Sequence, residues 1–146
     1  MFTKEQLQGI LLSLARPEVT FYRSDSNDAG QTIRLRVNFR AQSDFLHAIE
    51  RTLDQYQIEY VYRESEGANR NKPLLYVGKR ESLSRLSRLL PDLLPSSNNQ
   101  WDPFLIALEK VIEGQHLTLD GMTLIKEAVN DAKWFRYRKR TSVRKT

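Results

Sequence analysis

The sequence predicts an α+β protein in which helices cover one side of a single antiparallel sheet. Three observations predict it. Apolar residues recur at three-to-four spacing over 3–16, 43–56 and 80–90, the period of helices with a buried side. Between those helices lie two pairs of short segments rich in β-branched and aromatic residues, 19–24 with 32–40 and 58–64 with 73–78. Each pair is joined by a polar stretch of turn-forming residues. The order is therefore helix, then strand–strand–helix twice, a weak internal repeat that gathers four strands into one sheet.

Each element has its own justification. Thr3 is a fair N-cap for the first helix, with Gln6 three positions on as the second half of a capping box. Leu7, Ile10, Leu11 and Leu14 make its buried stripe, and Leu12 widens it, so the helix reads as apolar on most sides. Gly9 and Ser13, four apart, leave room for another helix. Pro17 ends the element, because it cannot donate to the helical ladder and biases Arg16 away from helical geometry. Glu18 then sits at the break, immediately before a strand that opens with Val19.

The second strand alternates cleanly. Ile33, Leu35, Val37 and Phe39 face one way; Arg34, Arg36, Asn38 and Arg40 face the other. One side packs and the other presents three arginines and an asparagine to solvent or a partner. Ser43 is the expected N-cap of the next helix, whose stripe is Phe45, Leu46, Ile49 and Leu53. After the second strand pair, Leu83, Leu86, Leu89 and Leu90 turn inward from the third helix. A proline-bracketed connection follows, then helices over 101–113 and 118–132, with Trp101 and Phe104 as core aromatics. No linker of domain-separating length appears, so residues 1–132 read as one domain and 133–146 as a basic aromatic tail.

Composition narrows the function classes. A chain of 146 residues, 40% hydrophobic and 28% charged, suits one soluble domain with a real core. It has no cysteine, which excludes disulfides, thiolate catalysis and Cys-ligated metal. No apolar run approaches the ~18 residues of a membrane span, and no signal-peptide pattern opens the chain, so an intracellular location is expected. The net charge is +5, yet residues 133–146 hold 7 Lys and Arg and no acid, leaving the other 132 residues at −2. Within that body, the strand-pair stretches 19–40 and 58–80 are each +2, and positive charge gathers on the sheet and the tail. Basic stretches with interleaved aromatics suit nucleic acid. His47 and His116 have no ligand partners near them in sequence and read as structural or exposed.

The stretch Leu11-Leu12-Ser13-Leu14-Ala15-Arg16-Pro17-Glu18-Val19-Thr20-Phe21 resembles, without gaps, the signature of the LAGLIDADG homing endonucleases. Leu11, Leu14 and Ala15 take apolar positions, Ser13 a small one, Glu18 the metal-binding acid, and Thr20-Phe21 the pair that opens the first strand. The order αββαββα with further helices is that of the family's single-motif members, so the resemblance covers about residues 3–132. Departures stand beside it. Arg16 replaces the motif's first acid, Pro17 and Val19 replace the small residues flanking the second, and Leu12 replaces an alanine. A register shifted to begin at Leu7 would put Leu14 on the acid position and leave no site.

The resemblance implies a homodimer on double-stranded DNA, with paired helices bringing two copies of Glu18 to a shared divalent cation such as Mg²⁺. Gln42, after the arginine strand, takes the place of the polar residue in the water network, and Lys79 that of the lysine near the scissile phosphate. Glu18, Gln42 and Lys79 are thus the expected catalytic residues, with Glu18 the metal ligand. The expected nucleic-acid-binding residues are Arg23, Arg34, Arg36, Asn38, Arg40, Arg63, Arg70 and Lys72. The altered motif sets an alternative beside cleavage: a non-catalytic binder of DNA or RNA, a transcription regulator or a maturase-like splicing factor. A third reading makes the acidic helical side a protein-interaction module.

Overall fold

A computed structural model of the chain describes residues 1–24, 30–67, 71–92, 94 and 100–130. In chain order the elements are α1 (Lys4–Ser13), β1 (Arg16–Arg23), β2 (Gln31–Arg40), α2 (Ser43–Gln55), β3 (Val61–Arg63), β4 (Leu74–Val77), α3 (Arg80–Ser87), α4 (Trp101–Ile112), a 3₁₀ turn (Gln115–Leu117) and α5 (Leu119–Asn130). The strands form one sheet in the order β1-β2-β4-β3. The class is α+β, in the predicted order. The residues group into two compact units, Met1–Arg16 with Arg36–Leu94, and Pro17–Leu35 with Pro95–Thr146. No described helix is long and apolar enough to cross a membrane.

In the first unit, α1 starts where its capping box fixes it. The Thr3 hydroxyl accepts from the Gln6 amide at 3.1 Å, and the Gln6 side chain accepts from the Thr3 amide at 2.9 Å. The helix buries Leu7, Ile10 and Leu11 but leaves Leu12 41% exposed, so it is one-sided rather than apolar all round. The Gln8 amide donates to the Leu89 carbonyl and the Phe2 amide to the Thr52 hydroxyl, tying α1 to the ends of its neighbours.

β2 and β4 run antiparallel with Val37 opposite Val77 and Phe39 opposite Leu75. Those four side chains are fully buried, as are Leu46, Ile49 and Leu53 of α2 and Leu86 of α3. Together they are the unit's core.

In the second unit, α4 buries Trp101, Phe104, Ala107, Leu108 and Val111, and α5 buries Met122, Ile125 and Val129. Trp101 and Phe104 meet edge to face at 5.6 Å, core aromatics as expected. Gly114 ends α4 at φ +79°, a conformation that favours glycine.

Several boundaries differ from expectation, among them the end of α3, which stops at Ser87, so that Leu89 and Leu90 are buried just beyond the helix and not on it. α1 stops at Ser13, where the amides of Leu14 and Ala15 both close on the Ile10 carbonyl, and β1 begins at Arg16. Pro17 and Glu18 therefore lie inside a strand; proline is tolerated because β1 is at the sheet edge. Gln42, not Ser43, occupies the N-cap position of α2, without a side-chain cap bond. β3 is only three residues long. Gln57 takes φ +58°, and the Glu59 amide donates to the Ser82 hydroxyl instead of joining the ladder.

Candidate nucleic-acid interface

In the second unit, Glu18 is half-buried at the third position of β1. Alternation places Glu18, Thr20 and Tyr22 on one side of the strand and Val19, Phe21 and Arg23 on the other. The Arg34 guanidinium stands 5.0 Å from the Tyr22 ring centre, so the Glu18 side of β1 is also the arginine side. The opposite side faces α5: Lys126 Nζ lies 5.5 Å from the Phe21 ring centre, and burial pushes its pKa down. Arg23 is exposed at the strand end, on the Phe21 side rather than in the row with Arg34.

In the first unit, Arg36 is half-buried and stacks on the Tyr76 ring at 3.9 Å, and Arg63 stands 5.9 Å from the same ring. Arg40 is exposed and paired with Glu66. Asn38 departs from the open side that alternation gave it. It is 8% exposed, because its register partner is Tyr76, and its side-chain oxygen has no hydrogen-bond partner among the described residues. Lys72 is exposed just before β4. Arg70 and the basic tail lie outside the described residues.

Gln42 is exposed ahead of α2. Lys79 is exposed at the N-cap position of α3, its ammonium 2.6 Å from the Glu59 carboxylate. The hydrogen bond and charge of Lys79 hold the Glu59 carboxyl below its usual range, and Glu59 in turn raises Lys79. His47 bonds Glu50 at 2.7 Å and stacks on Tyr62, and His116 is buried, so both are structural.

Sequence reasoning missed Tyr22, Tyr76, Glu59 and Glu66. Tyr76 was legible as a residue of its strand, but its partners depend on cross-strand register, which spacing along one strand does not give.

The described residues of one chain do not by themselves make a divalent-cation site. Such an ion takes about six oxygen ligands. Glu18 is a single carboxylate within β1, and among the described residues no three acids or histidines gather into a metal site.

These elements define an α+β protein with one four-stranded sheet, arginines alternating along β2 and a one-sided helix ahead of the first strand. No protein-family model matches the sequence, and no curated protein matches it. Solved structures do. The chain superposes on the homing endonuclease I-TnaI with a TM-score of 0.79 at 14% identity, covering 97% of this chain and 95% of that one. It superposes on the archaeal intron-encoded homing endonuclease I-Vdi141I in complex with DNA with a TM-score of 0.72 at 14% identity, covering 92% and 87%. For the LAGLIDADG homing endonuclease I-LtrWI bound to target DNA the values are 0.72 and 16%, covering 92% of this chain but 45% of that one. This chain has the LAGLIDADG homing-endonuclease fold, as its motif suggested.

Proposed function

We propose that this protein binds double-stranded DNA as a homodimer, laying the arginine side of its sheet in the major groove. The observation that carries the reading is the row along β2, where Arg34 and Arg40 are exposed and Arg36 is held on an aromatic ring. A twisted antiparallel sheet with basic side chains on one side matches the width of the major groove and the charge of its phosphate rims. Solved neighbours of this fold are described as bound to DNA, which supports the partner. Dimerisation is supported by the solvent side of α1, which carries small residues that let a second helix come close. The exposed row Gly9, Leu12 and Ser13 on α1 supplies the meeting surface.

In that dimer, Glu18 from each copy would hold a divalent cation such as Mg²⁺, which supplies Lewis-acid activation for phosphodiester hydrolysis. Gln42 would orient water and Lys79 would face the scissile phosphate. A second reading, binding without cleavage, is favoured by two observations. Arg16 stands where the motif's first acid belongs, and the Lys79 ammonium is held by Glu59. Such a protein would act as a transcription regulator or a maturase-like splicing factor.

One experiment separates the readings. A randomised duplex library is incubated with Mg²⁺ and wild type or Glu18→Gln, and bound and cleaved molecules are sequenced. Cleavage by wild type alone supports the nuclease; binding by both without cleavage supports the second reading. Loss of all binding at low salt removes both.

A further inference from the structure

We propose that Tyr76 is a positioning residue whose ring holds Arg36 and Arg63 ready to read two guanines of the target. The inference rests on the DNA-binding reading and names the feature of the duplex that the sheet recognises. Tyr76 of β4 lies opposite Asn38 of β2 and Val61 of β3. Arg36 is two residues before Asn38, and Arg63 two residues after Val61, so both are diagonal neighbours of the ring on its own side of the sheet. Their guanidinium carbons stand 3.9 and 5.9 Å from the ring centre, inside the roughly 6 Å range of a cation–π pair. Tyr76 as a whole is only 8% exposed.

The kind of partner matters more than its strength. A carboxylate occupies the N–H fork of an arginine and cancels its charge, which is the situation of Arg40 on Glu66. An aromatic ring meets the flat side of the guanidinium and leaves the fork and the charge available. Among the described residues, neither Arg36 nor Arg63 has an ion pair with a carboxylate. A stacked arginine also gives up less rotamer freedom on binding, because the ring has already restricted it. Gly78 keeps the approach open. A Cβ there would sit 3.6 Å from the Tyr76 ring and 3.9 Å from the Arg36 stem, so a larger side chain would lie over both.

A fixed, unneutralised planar fork suits the O6 and N7 acceptors of guanine in the major groove, whereas a phosphate is met equally well by a freely moving cation. Two forks on different strands, β2 and β3, address two different base pairs.

The test is site selection from a randomised duplex library, with affinity followed against salt. Wild type is expected to enrich guanine at two positions. Arg36→Lys and Arg63→Lys each relax one of them by about tenfold or more. Tyr76→Leu relaxes both while the salt slope stays that of wild type, and Tyr76→Phe, which keeps the ring, retains both. Wild-type binding without a guanine preference overturns the inference and leaves DNA binding standing. So does a Tyr76→Leu protein that keeps both preferences, or a Tyr76→Phe protein that loses them. Should Tyr76→Leu not fold, Tyr76→Met, of similar volume and without the ring, takes its place and decides by the same outcomes. Absence of any wild-type binding at low salt overturns the DNA reading and this inference with it.

Discussion

The ammonium of Lys79 and the carboxylate of Glu59 lie 2.6 Å apart, linking the start of α3 to the residues that lead into β3. Lys79 is the cation that the DNA reading sends to a phosphate, so Glu59 competes with DNA for it. Glu59→Gln is expected to tighten DNA binding by about threefold at low salt, with the gain shrinking as salt rises. The pH dependence follows from the directions of the shifts. Glu59 is depressed, so the pair's contribution is present above its ordinary 4.5 and lost as pH falls through its lowered folded value. Lys79 is raised, so the contribution holds below its ordinary 10.5 and is lost as pH rises through the raised value. Carbon-detected NMR titration checks this: Lys79→Met should return Glu59 to the usual carboxylate range.

The first helix depends on a cap that the sequence shows openly. Thr3 and Gln6 bond each other's amides reciprocally. Thr3→Ala should lower unfolding stability by about 1 kcal/mol, and Gln6→Ala by less, because the Thr3 amide lies outside the helix and water replaces its partner. Chemical denaturation with an unchanged m-value would show it.

That cap, the alternation of β2 and the three-to-four stripes were readable because each is local: the residues that decide them lie within one turn or one strand. The junction after α1 was read less well. Pro17 was expected to separate helix from strand, but a proline is compatible with an edge strand, and only the sheet order reveals which strand is the edge. Leu12 is exposed although its chemistry argues for burial, since the width of a buried stripe depends on what packs against it. Of the candidate site, the arginine row was legible, while the partners that define it, Tyr22, Tyr76, Glu59 and Glu66, come from register and from turns.

Gly121 allows α5 to approach the 3₁₀ turn. A Cβ built there would lie 1.8 Å from the Gln115 carbonyl oxygen, which is backbone and cannot rotate away. Gly121→Ala is therefore expected to destabilise by about 3 kcal/mol, reversing the usual gain of alanine over glycine in a helix. Thermal melting should show a clear drop; an unchanged or raised midpoint would mean that α5 does not dock this closely.

Tyr60 ties α2 to the lead-in of β3. Burial, and then its hydrogen bond to Asp54, raise its pKa to about 12. Because the folded value is raised, this contribution is complete below pH 10 and is lost as pH rises toward 12. Asp54→Asn should lower the Tyr60 midpoint without returning it to 10.0, since burial is the larger cause. Ultraviolet difference titration of wild type, Tyr60→Phe and Asp54→Asn isolates the step.

Gly9 separates folding from assembly. It is exposed inside α1, and a Cβ there meets nothing within 4 Å in one chain. In a lone chain, Gly9→Ala should therefore stabilise by roughly 0.5–1 kcal/mol, because glycine pays backbone entropy in a helix without using its freedom. In the proposed dimer the same methyl group lies between two copies of α1, where Gly9 and Ser13 allow a close approach. Dimerisation should then weaken by about tenfold, and Gly9→Leu should abolish it, through overpacking at the helix crossing. Sedimentation velocity across a dilution series measures association, and denaturation at low concentration measures the chain alone. A Gly9→Leu protein that stays dimeric would place the interface away from α1, and with it the two copies of Glu18 would lose their common axis.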